Sequence, residues 1–178
     1  MKKVLVVLVA LLCLVGVSNA QSKFGVSAQG VLSLPMGDFG DGFKTGFGAA
    51  GTFTYAATKE LDVVATVGYL TYTSKASSDA TFTTMPILGG IRYYMGSKDF
   101  KPYLTAEAGI YSSKAKVKVW GFEVESTSSD FGFAGGAGFL YKLGNKLNLD
   151  VTATFNSISS EGASTSFLNV MAGVHFAF

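Results

Sequence analysis

From Lys23 to the C-terminal Phe178, apolar residues alternate with polar or small ones almost without a break. Successive side chains of a strand point to opposite faces, so alternation of this length dictates strands with one apolar and one polar face. No stretch of useful length carries helical periodicity. Eight strands are predicted, at about 23 to 34, 46 to 57, 61 to 73, 82 to 95, 102 to 119, 122 to 143, 147 to 156 and 167 to 178.

The connections alternate in kind. Those after the second, fourth and sixth strands are short: Thr58-Lys59-Glu60, "GSKDFK" from Gly96, and Gly144-Asn145-Lys146. Those after the first, third and seventh are longer and rich in Gly, Ser and Asp: "PMGDFGDGFKT" from Pro35, "SKASSDA" from Ser74 and "SISSEGASTS" from Ser157. Short turns at one end and long loops at the other are the asymmetry of a barrel in a bacterial outer membrane, with turns in the periplasm and loops outside.

The faces agree with that reading. With Glu107 inward, Leu104, Ala106, Ala108 and Ile110 face out; Arg92 then faces in while Ile87, Ile91, Tyr93 and Met95 face out. A one-residue slip turns Arg92 to lipid, at a cost of ~2–4 kcal/mol near the midplane, and reverses every other side chain with it. The outward aromatics also sort by depth. Phe24, Tyr55, Tyr93, Tyr141, Phe176 and Phe178 lie toward the turns; Phe47, Tyr69, Phe131, Phe133 and Phe155 lie toward the loops. Two girdles around an aliphatic band suit a bilayer. A soluble sandwich would bury the same rings without sorting them, and a secreted lipocalin would need the opposite faces and a flanking helix. The fold class expected is all-β: an eight-stranded antiparallel up-and-down transmembrane β-barrel.

The first residues read "MKKVLVVLVALLCLVGVSNAQ", a basic start, an apolar run and a small-residue end. This is the pattern of a secretory signal, so residues 1–20 are expected to be cleaved and 21–178 to form one barrel domain. The apolar run is shorter than the roughly 20 residues a spanning helix needs. Leu11 and Leu12 before Cys13 lack the small residue that lipid attachment requires. Cleavage removes the only cysteine and also Lys2 and Lys3, leaving 12 basic residues of the original 14 against 12 acidic ones. No disulfide can form, and nothing points to nucleic acid.

The chain ends "FLNVMAGVHFAF", with Leu168, Val170, Ala172, Val174, Phe176 and Phe178 on one face. With "PYLTAEAGIY" and "GIRYYM", this ending makes the mature chain resemble the OmpA/OmpX-like outer-membrane β-barrel family over its whole length. The resemblance implies a small barrel of the Gram-negative cell envelope, with outer-membrane lipid and lipopolysaccharide around it. It further implies that Phe176 and Phe178 form the signal read by the barrel assembly machinery.

Motifs for chemistry are weak. "GFGAAG" from Gly46 fits a dinucleotide fingerprint, which works only between a strand and a helix, and here the strand pattern continues. "DFG" at Asp38 and Asp130 lacks every other kinase element. His175, the only histidine, lies near the periplasmic end beside Gly25 and Ser27. Barrel enzymes of similar size that act on lipid A use a histidine near the outer rim, and no such histidine is present. "GDFGDG" offers Asp38 and Asp41 to a cation, but a glycine-rich loop needs no ligand to explain it. No catalytic residue, cofactor or metal site is expected. In the lumen, Arg92 and Glu107 are diagonal neighbours on adjoining strands and are expected to form an ion pair, with Asp150 and Lys142 as a second candidate.

"KVKVWGFEVE", from Lys116 to Glu125, is a palindrome of charge about Trp120-Gly121. Folding it there sets Val119 opposite Phe122, Lys118 opposite Glu123, Val117 opposite Val124 and Lys116 opposite Glu125, all pairs an antiparallel ladder favours. Crossing a bilayer takes only about 9 to 11 residues of strand. The fifth and sixth strands run on for roughly 18, and their surplus must stand in water. Three function classes follow. The first is a non-enzymatic surface protein, acting through its loops and hairpin in adhesion, protection or envelope integrity and meeting an extracellular protein or surface ligand. The second is a narrow channel, suggested by small inward residues such as Gly48, Ala50, Thr52, Gly68, Gly90, Gly109 and Gly136. A lipid-modifying enzyme is the third.

Overall fold

A computed structural model describes residues 23–178 except 77–79, 97–98, 120–121 and 161–162, with 117–119, 122–124, 160 and 163 described by backbone alone. The strands are β1 (Phe24–Met36), β2 (Gly46–Ala56), β3 (Leu61–Thr73), β4 (Ala80–Tyr94), β5 (Phe100–Val119), β6 (Phe122–Lys142), β7 (Leu147–Ser160) and β8 (Ala163–Ala177). Each pairs antiparallel with its sequence neighbour, and β8 returns to β1 from Gly25↔Ala177 to Met36↔Ser166, closing the barrel. Closure leaves no edge within the membrane, where an unpaired backbone group has no water to turn to.

The alternation translates directly into faces. Outward large side chains are exposed in both expected girdles, from Phe24, Tyr55, Tyr93 and Tyr141 at the turn end to Phe47, Tyr69, Phe131 and Phe155 at the loop end. Between them Gly30, Ala49, Gly89, Ala108, Ala137 and Ala172 face out.

Two of the long loops differ from expectation. Residues 157–160 and 163–166 continue the β7–β8 ladder from Ser157↔Ser166 to Ser160↔Ala163. Their Ser and Thr residues read as loop by composition, yet facing hydroxyl residues are compatible with a ladder. The inward Ile158 and Phe167, 3% and 1% exposed, anchor this extension in the core. After β1, Gly37–Gly42 forms a short helix, α1, entered through Gly37 at φ +57°. Six residues are too few to carry a readable helical period.

The inward small residues have a packing role. A Cβ at Gly90 would stand 2.1 Å from the Ala106 carbonyl oxygen, and one at Gly136 2.0 Å from that of Ala153. Their smallness lets neighbouring backbones close around a narrow interior. Fully buried Arg92, Tyr72, Tyr103, Tyr111 and Phe167 fill what remains.

Candidate functional site

Three features could carry function: a polar cluster in the turn-end half of the lumen, an aromatic plug at the loop end, and the hairpin above it.

Asp150, on β7, is fully buried and is the hub of the polar cluster. Ser27 Oγ donates to its Oδ2 at 2.8 Å and Tyr103 Oη to its Oδ1 at 2.6 Å. Thr152 Oγ1 donates to Oδ1 at 3.3 Å, and Arg92 Nη1 to Oδ2 at 3.4 Å. Tyr103 Oη and Thr152 Oγ1 also bond each other, so their two protons are shared over three contacts, and donors reach both carboxylate oxygens, which is how a charge survives complete burial. The Arg92 guanidinium also lies 4.1 Å over the Tyr103 ring, a cation–π contact. Gln29 Nε2 donates to the Asp150 carbonyl at 3.4 Å and to Thr152 Oγ1 at 3.3 Å.

The expected Arg92–Glu107 ion pair is therefore replaced by Arg92–Asp150. Glu107 instead receives a hydrogen bond from Thr105 Oγ1 at 3.1 Å. Lys142 pairs not with Asp150 but with exposed Asp99, at 3.6 Å. The physical reason is the narrow lumen: long side chains reach across it, so β4 and β7 meet although two strands separate them in the sheet.

His175 Nδ1 is 3.0 Å from Ser27 Oγ. Ser27 has one hydroxyl proton, which it gives to Asp150, so His175 must donate here through Nδ1–H. Ser27 thus bridges the Asp150 carboxylate and the His175 ring, and all three are buried. On its open side the cluster faces a vestibule of about 610 Å³ at the turn end, lined in part by Lys23, Asp62, Lys101, Asn148 and His175.

At the loop end, Phe39 of α1 inserts its ring among aromatic neighbours. Its centroid is 4.9 Å from Phe43, 5.0 Å from Tyr72, 5.4 Å from Phe82 and 6.4 Å from Phe167. Tyr72 Oη bonds Ser33 Oγ at 2.7 Å, and Tyr111 Oη donates to Asn156 Oδ1 at 3.0 Å. The plug, Tyr103 and the hub role of Asp150 were missed from sequence. A census of large residues at inward positions on all eight strands would have found all but Phe39.

Above the plug, β5 and β6 keep one register from Phe100↔Tyr141 to Val119↔Phe122, including Lys116↔Glu125, Val117↔Val124 and Lys118↔Glu123 as expected. The side chains of Lys116 and Glu125 form an exposed ion pair. Trp120 and Gly121 lie outside the described residues; Lys118, Phe122 and Glu123 are placed by their backbone register alone. Phe176 and Phe178 sit at the closing seam, where Phe178 N donates to the Phe24 carbonyl at 2.9 Å and the Phe24 and Phe178 rings stack 6.4 Å apart.

Solved structures of small outer-membrane proteins share this architecture. Neisserial surface protein A aligns with a TM-score of 0.68 at 21% identity, covering 90% of this chain and all of that one. Ail, the attachment invasion locus protein of Yersinia pestis, aligns at 0.61 and 17% identity, covering 88% of this chain and all of its own. OprG of Pseudomonas aeruginosa aligns at 0.57 and 16% identity, covering 89% of this chain and 97% of its own. No curated protein matches the sequence. The family model described as the outer membrane protein beta-barrel domain matches residues 5–176, nearly the whole chain, and the protein belongs to that family.

Proposed function

We propose that this chain is a non-enzymatic outer-membrane protein that works at the cell surface, with the projecting edge of β6 as its binding element. The observation that carries the reading is an asymmetry in the ladders. β5 is 20 residues long; at ~3.3 Å per residue and ~40° tilt it rises about 50 Å, twice the ~25 Å apolar band. β4 accompanies β5 as far as Ala80↔Val117. β7 accompanies β6 only as far as Phe131↔Ser159. Among the described residues, Phe122–Asp130 therefore has a ladder partner on one side only. An unpaired strand edge takes up an extended segment of another chain through main-chain hydrogen bonds.

The crystallised complex of Ail with the heparin analogue sucrose octasulfate shows an anionic ligand for that protein. Here Lys116 is balanced by Glu125, so the stripe carries both signs and an extracellular protein suits the edge better than a polyanion. In this reading residues 1–20 direct export and are removed, which a mature mass beginning at Gln21 tests.

Replacing 116–125 by a Gly-Asn turn tests the binding role. Folding and the faster migration of unheated protein in detergent gels should survive, while adhesion of expressing cells to a protein-coated surface should be lost. Adhesion that persists excludes the hairpin, and loss of folding makes it a structural element. A narrow channel is the second reading, favoured by the vestibule and opposed by the plug.

A further inference from the structure

Midway along the lumen, between the Asp150 cluster and the plug, lies a chamber of about 30 Å³. Its apolar wall includes Val31, Leu70 and Leu88; its polar wall includes Glu107, Asn169, Thr66 and Thr154. Glu107 is 9% exposed and Asn169 6%. One oxygen of each, Glu107 Oε2 and Asn169 Oδ1, is buried without a hydrogen-bond partner. The carboxylate oxygen and the amide carbonyl oxygen are both acceptors, so neither can satisfy the other.

The charge balance is equally one-sided. Among the described residues, the buried carboxylates are Asp62, Glu107 and Asp150, and the buried guanidinium is Arg92 alone. Arg92 Nη1 pairs with Asp150, and Arg92 Nε is buried without a hydrogen-bond partner of its own; among the described residues Arg92 forms no ion pair with Glu107. Tyr94 Oη donates to Asp62 at 3.1 Å. Glu107 has only the Thr105 hydroxyl on its other oxygen, and a buried carboxylate without a counter-charge is costly.

We infer that this chamber is a binding site for a single dehydrated monovalent cation, held between Glu107 Oε2 and Asn169 Oδ1. Carboxylate, amide carbonyl and hydroxyl oxygens form a donor set suited to hard cations. One positive charge cancels the one carboxylate, whereas a divalent ion would leave an excess charge in a chamber with no second acid. The volume admits one or two water-sized particles, so an ion enters without a full hydration shell. Choline is too bulky to follow.

The test is thermal unfolding of the intact barrel in lipid vesicles, read by loss of heat-modifiable migration, in sodium, potassium or choline chloride at equal ionic strength. Mass action raises the midpoint with the logarithm of a bound ion's concentration. A midpoint that climbs with sodium or potassium and stays flat with choline is expected. The dependence should disappear in Glu107→Gln and, should that variant not fold, in Asn169→Leu. Identical midpoints in all three salts overturn the inference and leave water as the occupant. An alkali-ion effect of undiminished size in the variants also overturns it, because the ion then binds elsewhere.

Discussion

Tyr103 lies across Gly138, its ladder partner on β6, so closely that a Cβ on the glycine would stand 2.6 Å from the tyrosine hydroxyl oxygen and 2.5 Å from the Val151 carbonyl oxygen. The Tyr72 ring crowds Gly46 as closely, and from diagonal positions on neighbouring strands the Tyr111 ring crowds Gly132 and the His175 ring Gly25. An eight-stranded lumen fits rings of this size only where a neighbouring strand withholds its side chain.

We predict that Gly138→Ala moves Tyr103 off Asp150 and costs about 1–3 kcal/mol, the usual range for overpacking. Gly135→Ala on the outer face is the control, since its nearest neighbour would be 4.0 Å away. Urea unfolding in vesicles measures both. Equal stability of the two variants would mean that the glycine is not there for the ring.

The second prediction concerns Arg92 and Asp150. Asp150→Ala leaves a buried guanidinium without its counter-ion, at about 3–5 kcal/mol. A double-mutant cycle between the two should return coupling of about 0.5–3 kcal/mol, and one between Arg92 and Glu107 close to zero. The reverse ranking would restore the pairing expected from sequence.

That reversal marks what the sequence can and cannot say. Period two assigns Arg92, Glu107 and Asp150 to the lumen because a strand has only two faces. It also sets Lys116 against Glu125, whose ladder is closed by a local turn. The partner of Arg92 is 58 positions away. Face alone cannot identify it, because that depends on which side chains span the barrel diameter. Phe39 was out of reach for a different reason: α1 is a single short turn whose role comes from the ring of aromatics beneath it.

Lys116 and Glu125 give a pH prediction. The hydrogen bond from Lys116, its charge and that of Lys114 together lower the Glu125 carboxyl below its ordinary 4.5. A carboxyl lowered in the folded state contributes stability above its ordinary value and loses it as pH falls through the lowered one. Both side chains are exposed, so the contribution is small and salt-sensitive. Titration of the Glu125 carboxyl by NMR should give a midpoint below that of free glutamate. Lys116→Met should move it back up, and an unshifted wild-type midpoint would show the pair is not held in solution.

The C-terminal aromatic separates assembly from stability. Phe178 docks on Phe24 by two backbone hydrogen bonds, at 2.9 and 3.4 Å, as well as by its ring. Phe178→Ala keeps the backbone bonds, so refolding into detergent should stay within about 1 kcal/mol of wild type, as for other partly exposed sites. In cells, the heat-modifiable fraction in the outer membrane should fall severalfold. A parallel loss in vitro would assign Phe178 to stability instead of recognition by the assembly machinery.

Phe39 decides between surface protein and channel. Its ring caps Tyr72 and Phe82, and a further layer of Tyr72, Tyr111 and Phe167 lies buried beneath it, at 0%, 0% and 1% exposure with Phe39 in place. Arg92 and Tyr103 block the other half of the lumen, and both are fully buried. Wild-type barrels in planar bilayers should therefore give no sustained conductance steps. Phe39→Ala should not open them, because it removes one of two barriers and only the outer layer of that one. The ring is half-buried, so its loss should cost about 2 kcal/mol, below the ~3–5 kcal/mol of a fully buried phenylalanine. Steady conductance from wild type would favour the channel reading. Conductance from Phe39→Ala alone would show that the Asp150 cluster lets ions through, making α1 a gate where we read a cap.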